Sequence, residues 1–155
     1  MSQAKKVFTR MCLNNWGGID HKVLEFHEYV NLFSGKSGSG KSTVMDAIQV
    51  ILYGSFSPSF LNKAADDAKN RRSVLSYLRG EQKDGSANRK DCDFCSVIAL
   101  EIEDTGTHII TCIGIAFEVR KSDSEIKKFV YFSHSGKMPE SEYLTEQGVC
   151  YSNQE

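Results

Sequence analysis

The sequence reads GKSGSGKS from Gly35 to Ser42 within a chain of 155 residues, and this stretch decides the fold class. It matches in full the pattern G-x-x-x-x-G-K-S/T, which is the phosphate-binding loop of nucleoside triphosphatases. Its glycines permit positive φ angles, so that consecutive backbone N–H groups can point into one concavity. Lys41 is then expected to bridge the β- and γ-phosphate oxygens, and the Ser42 hydroxyl to take one Mg²⁺ position.

The residues on both sides of this loop fit the same interpretation. Tyr29–Phe33 predicts a strand that enters the loop, and Ser42–Tyr53 predicts a helix that leaves it. Gly54 stands where a helix-ending glycine is expected. The apolar face predicted for the helix consists of Val44, Met45, Ile48, Ile51 and Leu52.

Composition narrows the class of protein. The chain is 40% hydrophobic and 25% charged, and its formal net charge is −1. It contains no apolar run of about 20 residues, which a membrane span needs, and its start, MSQAKK, is not followed by the apolar core of a secretion signal. Five cysteines at irregular spacing fit reduced thiols. We therefore expect a cytoplasmic protein of one domain that does not contact a membrane.

The segment from Lys63 to Lys90 is unusually basic. It holds eight lysines and arginines against four acidic residues, so its net charge is +4 and that of the remainder is −5. Charge alone leaves two interpretations open: a solvated helix-and-loop face, or a patch that contacts phosphate or DNA.

The predicted order of elements places two strands before the loop strand, at Val7–Leu13 and His21–Phe26. A helix follows at Lys63–Leu78. The clearest hairpin joins Phe94–Glu103 to His108–Arg120 through a turn at 104–107, and a last strand covers Lys127–Ser133. With Asp104 opposite Thr107, the hairpin pairs would be Ile102/Ile109, Leu100/Thr111, Ile98/Ile113 and Phe94/Phe117.

Two further patterns in the hairpin have a weaker chemical interpretation. Glu101 follows four apolar residues, as a Mg²⁺-ordering acid would, but a tight hairpin is not how that motif's strand normally continues. Cys92, Cys95, His108 and Cys112 have zinc-ligand spacing, yet the predicted register puts Cys112 roughly 13 Å along the strand from Cys95. We expect structural thiols there, and no catalytic acid or metal cluster.

These features together resemble the N-terminal half of an ABC-type ATPase head of the SMC-like group, closest to MukB/MksB-like condensin subunits, including the JetC component of Wadjet plasmid-defence systems. The stretches that carry the resemblance are LNNW (13–16), LEF (24–26), the loop with STVMDAIQ (42–49), FLNKAA (60–65), SYLRG (76–80) and ALEI (99–102). The resemblance covers residues 8 to 135.

The resemblance implies an α/β P-loop NTPase fold: an SMC-head-like N-terminal lobe over residues 1–135 with an antiparallel hairpin subdomain, and a polar tail or connection over 136–155. It implies ATP and Mg²⁺ as cofactors. It also implies a separate C-terminal half carrying the signature sequence and catalytic acid, a second head across the nucleotide, DNA, and a kleisin-type subunit. The implied nucleotide residues are Gly35, Lys36, Ser37, Gly38, Ser39, Gly40, Lys41, Ser42 and Thr43, with Ser42 on Mg²⁺.

Several positions outside the loop are implied only by the resemblance. Asn15 or Trp16 falls in an early loop near the nucleotide. Lys63 and Arg79 match basic positions that contact DNA or the partner head, and Gln147-Gly148 is similar to the glutamine loop that senses the γ-phosphate. Three alternatives stay open: an ABC transporter nucleotide-binding domain, a stand-alone P-loop kinase or GTPase, and an inert nucleotide-gated adaptor.

Overall fold

The computed structural model describes residues 3–55, 74–82 and 84–148. Five strands and two helices occur there. The strands are β1 (Lys6–Trp16), β2 (Ile19–Glu25), β3 (Phe94–Asp104), β4 (Ile110–Val119) and β5 (Lys128–Ser135); the helices are α1 (Lys41–Tyr53) and α2 (Val74–Leu78). The strands form one sheet in the order β2-β1-β3-β4-β5, and each neighbouring pair is antiparallel.

Both faces of this sheet are covered. On the front face, α1 and α2 pack against β1, β3 and β4, around a core whose largest buried side chains include Trp16, Phe117 and Leu100. The back face carries a smaller cluster that includes Cys12, Cys112 and Tyr143. Because the central parts of β3 and β4 are buried on both faces, their sequences are mostly apolar there.

The end of β1 departs from regular alternation. Met11 and Leu13 face the front core, so Trp16 would face the back in a regular strand. Asn15, however, has a left-handed φ of 52°, and Trp16 joins the front core. The Asn15 amide donates to the carbonyl of Cys95 at 2.8 Å, which supports this conformation. β1 therefore runs to Trp16, and the turn lies at Gly17-Gly18.

The predicted strand at Tyr29–Phe33 is wrong. Asn31 and His27 instead close a local turn, since the Asn31 side chain accepts from the His27 backbone N–H and donates to its carbonyl. These local bonds replace the ladder bonds a strand would need. The side chains of Tyr29 (80%), Val30 (76%) and Leu32 (87%) stay exposed.

The hairpin prediction is confirmed for its two strands and wrong in its register. Asp104 pairs with Ile109 rather than Thr107, since its backbone N–H donates to the Ile109 carbonyl at 3.0 Å. The Asp104 carboxylate also accepts from the N–H groups of Gly106 and Thr107, and the chain then turns through His108 at φ 57°. The observed partners are Ile102/Thr111, Leu100/Ile113, Ile98/Ile115 and Phe94/Val119. A shift of two residues keeps every side chain on its predicted face.

The helix α1 begins one residue earlier than predicted and ends as predicted. Gly54 is left-handed (φ 61°), and its N–H donates to the Val50 carbonyl at 3.1 Å. The buried face is different from the predicted one, because Met45 (46%) and Leu52 (50%) are exposed. The buried residues are Val44, Asp46, Ala47, Val50 and Ile51.

Of the helix predicted at Lys63–Leu78, only the end lies within the described residues. It is α2, which stops at Leu78 before the left-handed Gly80. The last predicted strand is present as β5, displaced toward the C-terminus.

The residues after β5 close the back of the sheet. Met138 and Tyr143 are buried there, and the Met138 N–H donates to the Glu101 carboxylate at 2.6 Å. The Asn14 side-chain amide donates to the Glu142 backbone carbonyl at 2.8 Å. We call residues 136–144 the back segment; its contacts tie the described end of the chain to β1 and β3.

Gly114 on β4 has no space for a side chain. A Cβ atom there would lie 2.5 Å from the Ile98 carbonyl oxygen and 2.6 Å from the Phe132 ring. We expect Gly114→Ala to lower the free energy of unfolding by about 1–3 kcal/mol, because the clash is with backbone and a packed ring. Urea denaturation measures the change. Gly18→Ala is the matched control, since nothing lies within 4 Å of its Cβ position; equal losses in both variants would contradict the packing.

Burial on the back face predicts a loss of stability in alkali. Burial raises the pKa of the Tyr143 phenol, and it raises the pKa of the Cys112 thiol. Above the usual titration range, about pH 8.5 for cysteine and 10 for tyrosine, the unfolded chain loses these protons while the folded chain keeps them. Stability contributed by these groups is thus present at lower pH and falls as the pH rises, by up to about 1.4 kcal/mol per pH unit per group.

We expect Tyr143→Phe to flatten this fall, measured as the urea midpoint between pH 8 and 10.5. Tyr29→Phe, at a position 80% exposed, is the control and should keep the wild-type slope. An unchanged slope in Tyr143→Phe would show that the phenol does not contribute.

Candidate nucleotide-binding site

The loop from Gly35 to Gly40 has the backbone that its glycines predict. Gly38 (φ 83°) and Gly40 (φ 90°) are left-handed, and Gly35 has a φ of 156°. A Cβ atom on Gly35 would lie 2.5 Å from the Ser39 hydroxyl, so the loop closes this tightly only around glycine. The side chains of Lys36, Ser37 and Ser39 are exposed.

Lys41 occupies the centre of this loop. Its ammonium donates to the carbonyls of Gly35 (2.6 Å) and Lys36 (2.9 Å) and to the Ser39 hydroxyl (3.3 Å). All three acceptors are uncharged, and no carboxylate within the described residues forms an ion pair with Lys41. An anion that enters the loop can therefore replace these acceptors of the Lys41 ammonium. It would also gain the attraction between its negative charge and the ammonium.

The first turn of α1 completes the site. Gly40 is its N-cap and provides no side-chain cap, and the first turn has no acidic residue. Ser42 is exposed and Thr43 half-buried. The N-terminus of a 13-residue helix favours negative charge, so backbone donors, Lys41 and the Ser42 hydroxyl suit a phosphate with a divalent cation. Loop, ammonium and hydroxyl thus fit a Mg²⁺–nucleotide.

Asn15 and Trp16 are close to this region but use their polar atoms on protein groups. The Asn15 amide donates to Cys95. The Trp16 indole N–H donates to the Thr43 carbonyl at 2.9 Å. Contact of either residue with a nucleotide stays a prediction, as does the role of Gln147, which is exposed beside a turn closed by Gly148 and Thr145.

The arginines of the basic segment that the structure describes have structural partners. Arg89 is buried and donates to the carbonyls of Gly17 and Leu78 and to the carboxylate of Asp20. Arg79 donates to the carbonyls of Arg120, Lys121 and Asp123. Lys63, Lys69, Arg71, Arg72 and Lys83 lie outside the described residues, and so does the Asn-Lys-Ala-Ala stretch.

Glu101 lies on the opposite side of the sheet from α1. It is 4% exposed, and its carboxylate accepts from the Thr9 hydroxyl (2.7 Å) and the Met138 N–H (2.6 Å). Its bonds hold the back segment to β1 and β3. Its carboxylate therefore faces the back segment and not α1.

The cysteines of the hairpin are also separated. Cys95 pairs with Glu118, and Cys112 pairs with Glu101. The two thiols are therefore six residues apart along β3, roughly 20 Å at 3.3 Å per residue. Cys112 is buried and Cys92 exposed.

Sequence reasoning missed two contributors to this region. In the sequence, Arg89 is one member of a charged segment, and no pattern could show that three acceptors from distant positions meet around it. Asp46 is not on the predicted helix face, yet it is 4% exposed and accepts from the Tyr77 hydroxyl at 3.2 Å. An acidic residue within an apolar helical stretch is the only signal that could have suggested a buried partner.

Comparisons with known proteins agree with the loop geometry. Residues 8–68 match the family model described as the P-loop containing region of AAA domain. The chain is 39% identical over 74 residues to the SbcC component of the nuclease SbcCD from Staphylococcus haemolyticus (strain JCSC1435), a match covering 45% of this chain and 6% of that protein. The chain thus contains a P-loop region that is similar in sequence to a segment of SbcC, and its structure is α/β with an antiparallel sheet. Within the described part of the chain, no helix has the length and apolar character to cross a membrane.

The contacts of Arg89 predict that its role is structural. Arg89→Met leaves the Gly17 and Leu78 carbonyls without their charged donor, and we expect a loss of about 2–4 kcal/mol in the free energy of unfolding. Lys90→Met removes an equal charge from a neighbouring exposed position and should cost under about 0.5 kcal/mol. Thermal or urea denaturation compares the two; equal effects would contradict the assignment.

Proposed function

We propose that this chain is the ATP-binding N-terminal half of an SMC-like ATPase head that acts on chromosomal or plasmid DNA. The observation that carries the proposal is the position of Lys41, whose ammonium lies 2.6–3.3 Å from three uncharged acceptors of its own glycine-rich loop. The similarity to the SbcC component of the nuclease supports this class over other P-loop proteins.

Each residue of the loop has a defined task in this proposal. The loop N–H groups and Lys41 bind the β- and γ-phosphates, and Ser42 holds Mg²⁺ with Thr43 beside it. When bound there, Mg²⁺ would supply charge neutralisation for the phosphates. Phosphoryl transfer also needs a group that orients the attacking water, and we propose that a C-terminal half of the head supplies it together with the signature sequence.

Exposed apolar side chains support such a second half. Tyr29, Val30 and Leu32 precede the loop with exposures of 76–87%, and Met45, Leu52 and Tyr53 are exposed on α1. Met45 and Leu52 are seven residues apart and share one face of α1, and an exposed apolar face commonly marks a surface that another protein part covers. We further propose a second head across the nucleotide, with DNA and a kleisin-type subunit as partners of the assembled protein.

The test is Mg²⁺-dependent ATP binding and steady-state hydrolysis by this chain. We expect binding that Lys41→Ala weakens by at least about tenfold, since a charge-assisted contact contributes roughly 1.5–3 kcal/mol. Lys137→Ala is the control: it removes an equal charge at an exposed position of the back segment, outside the loop, and it should leave affinity nearly unchanged. Turnover should be negligible.

Two results would contradict the proposal. Equal losses in the two lysine variants would show nonspecific attraction of the nucleotide. Rapid hydrolysis that requires Lys41 would show a complete active site in this chain and exclude the half-head.

A further inference from the structure

The side chain of Trp16 reaches the first turn of α1 because β1 changes face at its end. Asn15 adopts a left-handed conformation (φ 52°), which places Trp16 in the front core together with Met11 and Leu13. The indole is fully buried. Its ring stacks on Phe117 of β4, with centroids 6.3 Å apart and an interplanar angle of 23°, and it contacts Tyr77 of α2 at 5.0 Å.

The indole has a single hydrogen-bond donor, and that donor is directed at the first turn of α1. Its Nε1–H donates to the Thr43 carbonyl at 2.9 Å. The next residue, Gly17, packs against the same turn, because a Cβ atom there would lie 3.0 Å from the Thr43 methyl group. The end of β1 therefore contacts α1 through both a hydrogen bond and close packing.

The first turn of α1 has little local support. Gly40 gives it no side-chain cap, and no acidic residue lies in the first turn. Its first intrahelical bond runs from the Val44 N–H to the Gly40 carbonyl at 3.1 Å. The residues before it, from Asn31 to Ser39, are exposed. Tertiary contacts must then fix the direction in which this turn points.

We propose that Trp16 is a positioning residue for the phosphate site, acting through the Thr43 carbonyl. Lys41 and Ser42 precede Thr43 by two residues and one residue, so a fixed Thr43 carbonyl fixes the start of both side chains. Trp16 itself is fully buried, so its effect on the site passes through this hydrogen bond. The expected effect of Trp16 on nucleotide affinity rests on the proposed function. Its effect on the first turn of α1 does not depend on nucleotide.

Tyr77 of α2 offers a matched comparison, because its side chain also donates to α1. Its hydroxyl donates to the Asp46 carboxylate at 3.2 Å, three residues further from the loop. Tyr77→Phe thus removes a side-chain donor to α1 without touching the first turn. Trp16 is the only tryptophan of the chain, so biosynthetic replacement by 3-benzothienylalanine exchanges its N–H for sulfur at this position alone and keeps the ring shape.

The experiment measures three quantities in the wild type, Trp16→Phe, the benzothienyl protein and Tyr77→Phe: MgATP affinity, melting temperature, and hydrogen exchange of the Val44 amide without nucleotide. Losing the N–H should weaken MgATP binding about two- to tenfold and speed Val44 exchange. Tyr77→Phe should lower the melting temperature similarly while leaving affinity and Val44 exchange near wild type.

The outcomes separate the two proposals. If the benzothienyl protein matches the wild type in affinity and exchange, Trp16 does not position the turn. If it and Tyr77→Phe lose equal affinity, the effect is general stability and the inference fails. If the wild type binds no MgATP but the benzothienyl protein still speeds Val44 exchange, the positioning stands and the proposed function fails.

Discussion

The hydrogen bond from the buried Trp16 indole to the Thr43 carbonyl joins the sheet to the phosphate-loop helix, and much of the front of the molecule is arranged around it. The ring lies between Phe117 and Tyr77, so β4 and α2 hold it from two sides. The following turn is held as well, since Arg89 donates to the Gly17 carbonyl. A base held in this way supports the exposed glycine-rich loop, whose own residues contribute flexibility.

The two faces of the sheet have separate tasks. The front face supports α1 through apolar packing. The polar groups of the phosphate loop itself are few and exposed. The back segment covers the back face, where it packs on a smaller apolar cluster and adds polar contacts. Among these contacts, the Glu101 carboxylate accepts from Thr9 and Met138. Burying a carboxylate is costly unless its oxygens are hydrogen-bonded, and here two donors come from distant parts of the chain. An acidic residue that resembled a magnesium ligand in sequence therefore holds the back segment in place.

Features with a local physical cause were predictable from sequence. The motif glycines, the Gly54 helix end and the hairpin strands follow from backbone freedom and alternation, and the structure contains them. The hairpin register was not predictable, because the Asp104 carboxylate captures two N–H groups of the turn and lengthens it. Alternation with a period of two cannot detect a shift of two residues. The buried face of α1 was not predictable either, since Met45 and Val50 are both apolar and only the neighbouring elements select between them.

The sequence by itself determined a P-loop region, the residues of its loop and the presence of an antiparallel hairpin, because each depends on residues adjacent along the chain. Only the tertiary structure decided that β1 pairs with β3, that Glu101 faces away from the loop, and that Arg89 is a buried structural residue. It also decided that Asn15 directs Trp16 toward α1. These depend on groups as far as 98 positions apart, as for Lys6 and Asp104 in the β1–β3 pairing, and contacts between such groups arise from packing the whole sheet, which no local pattern encodes.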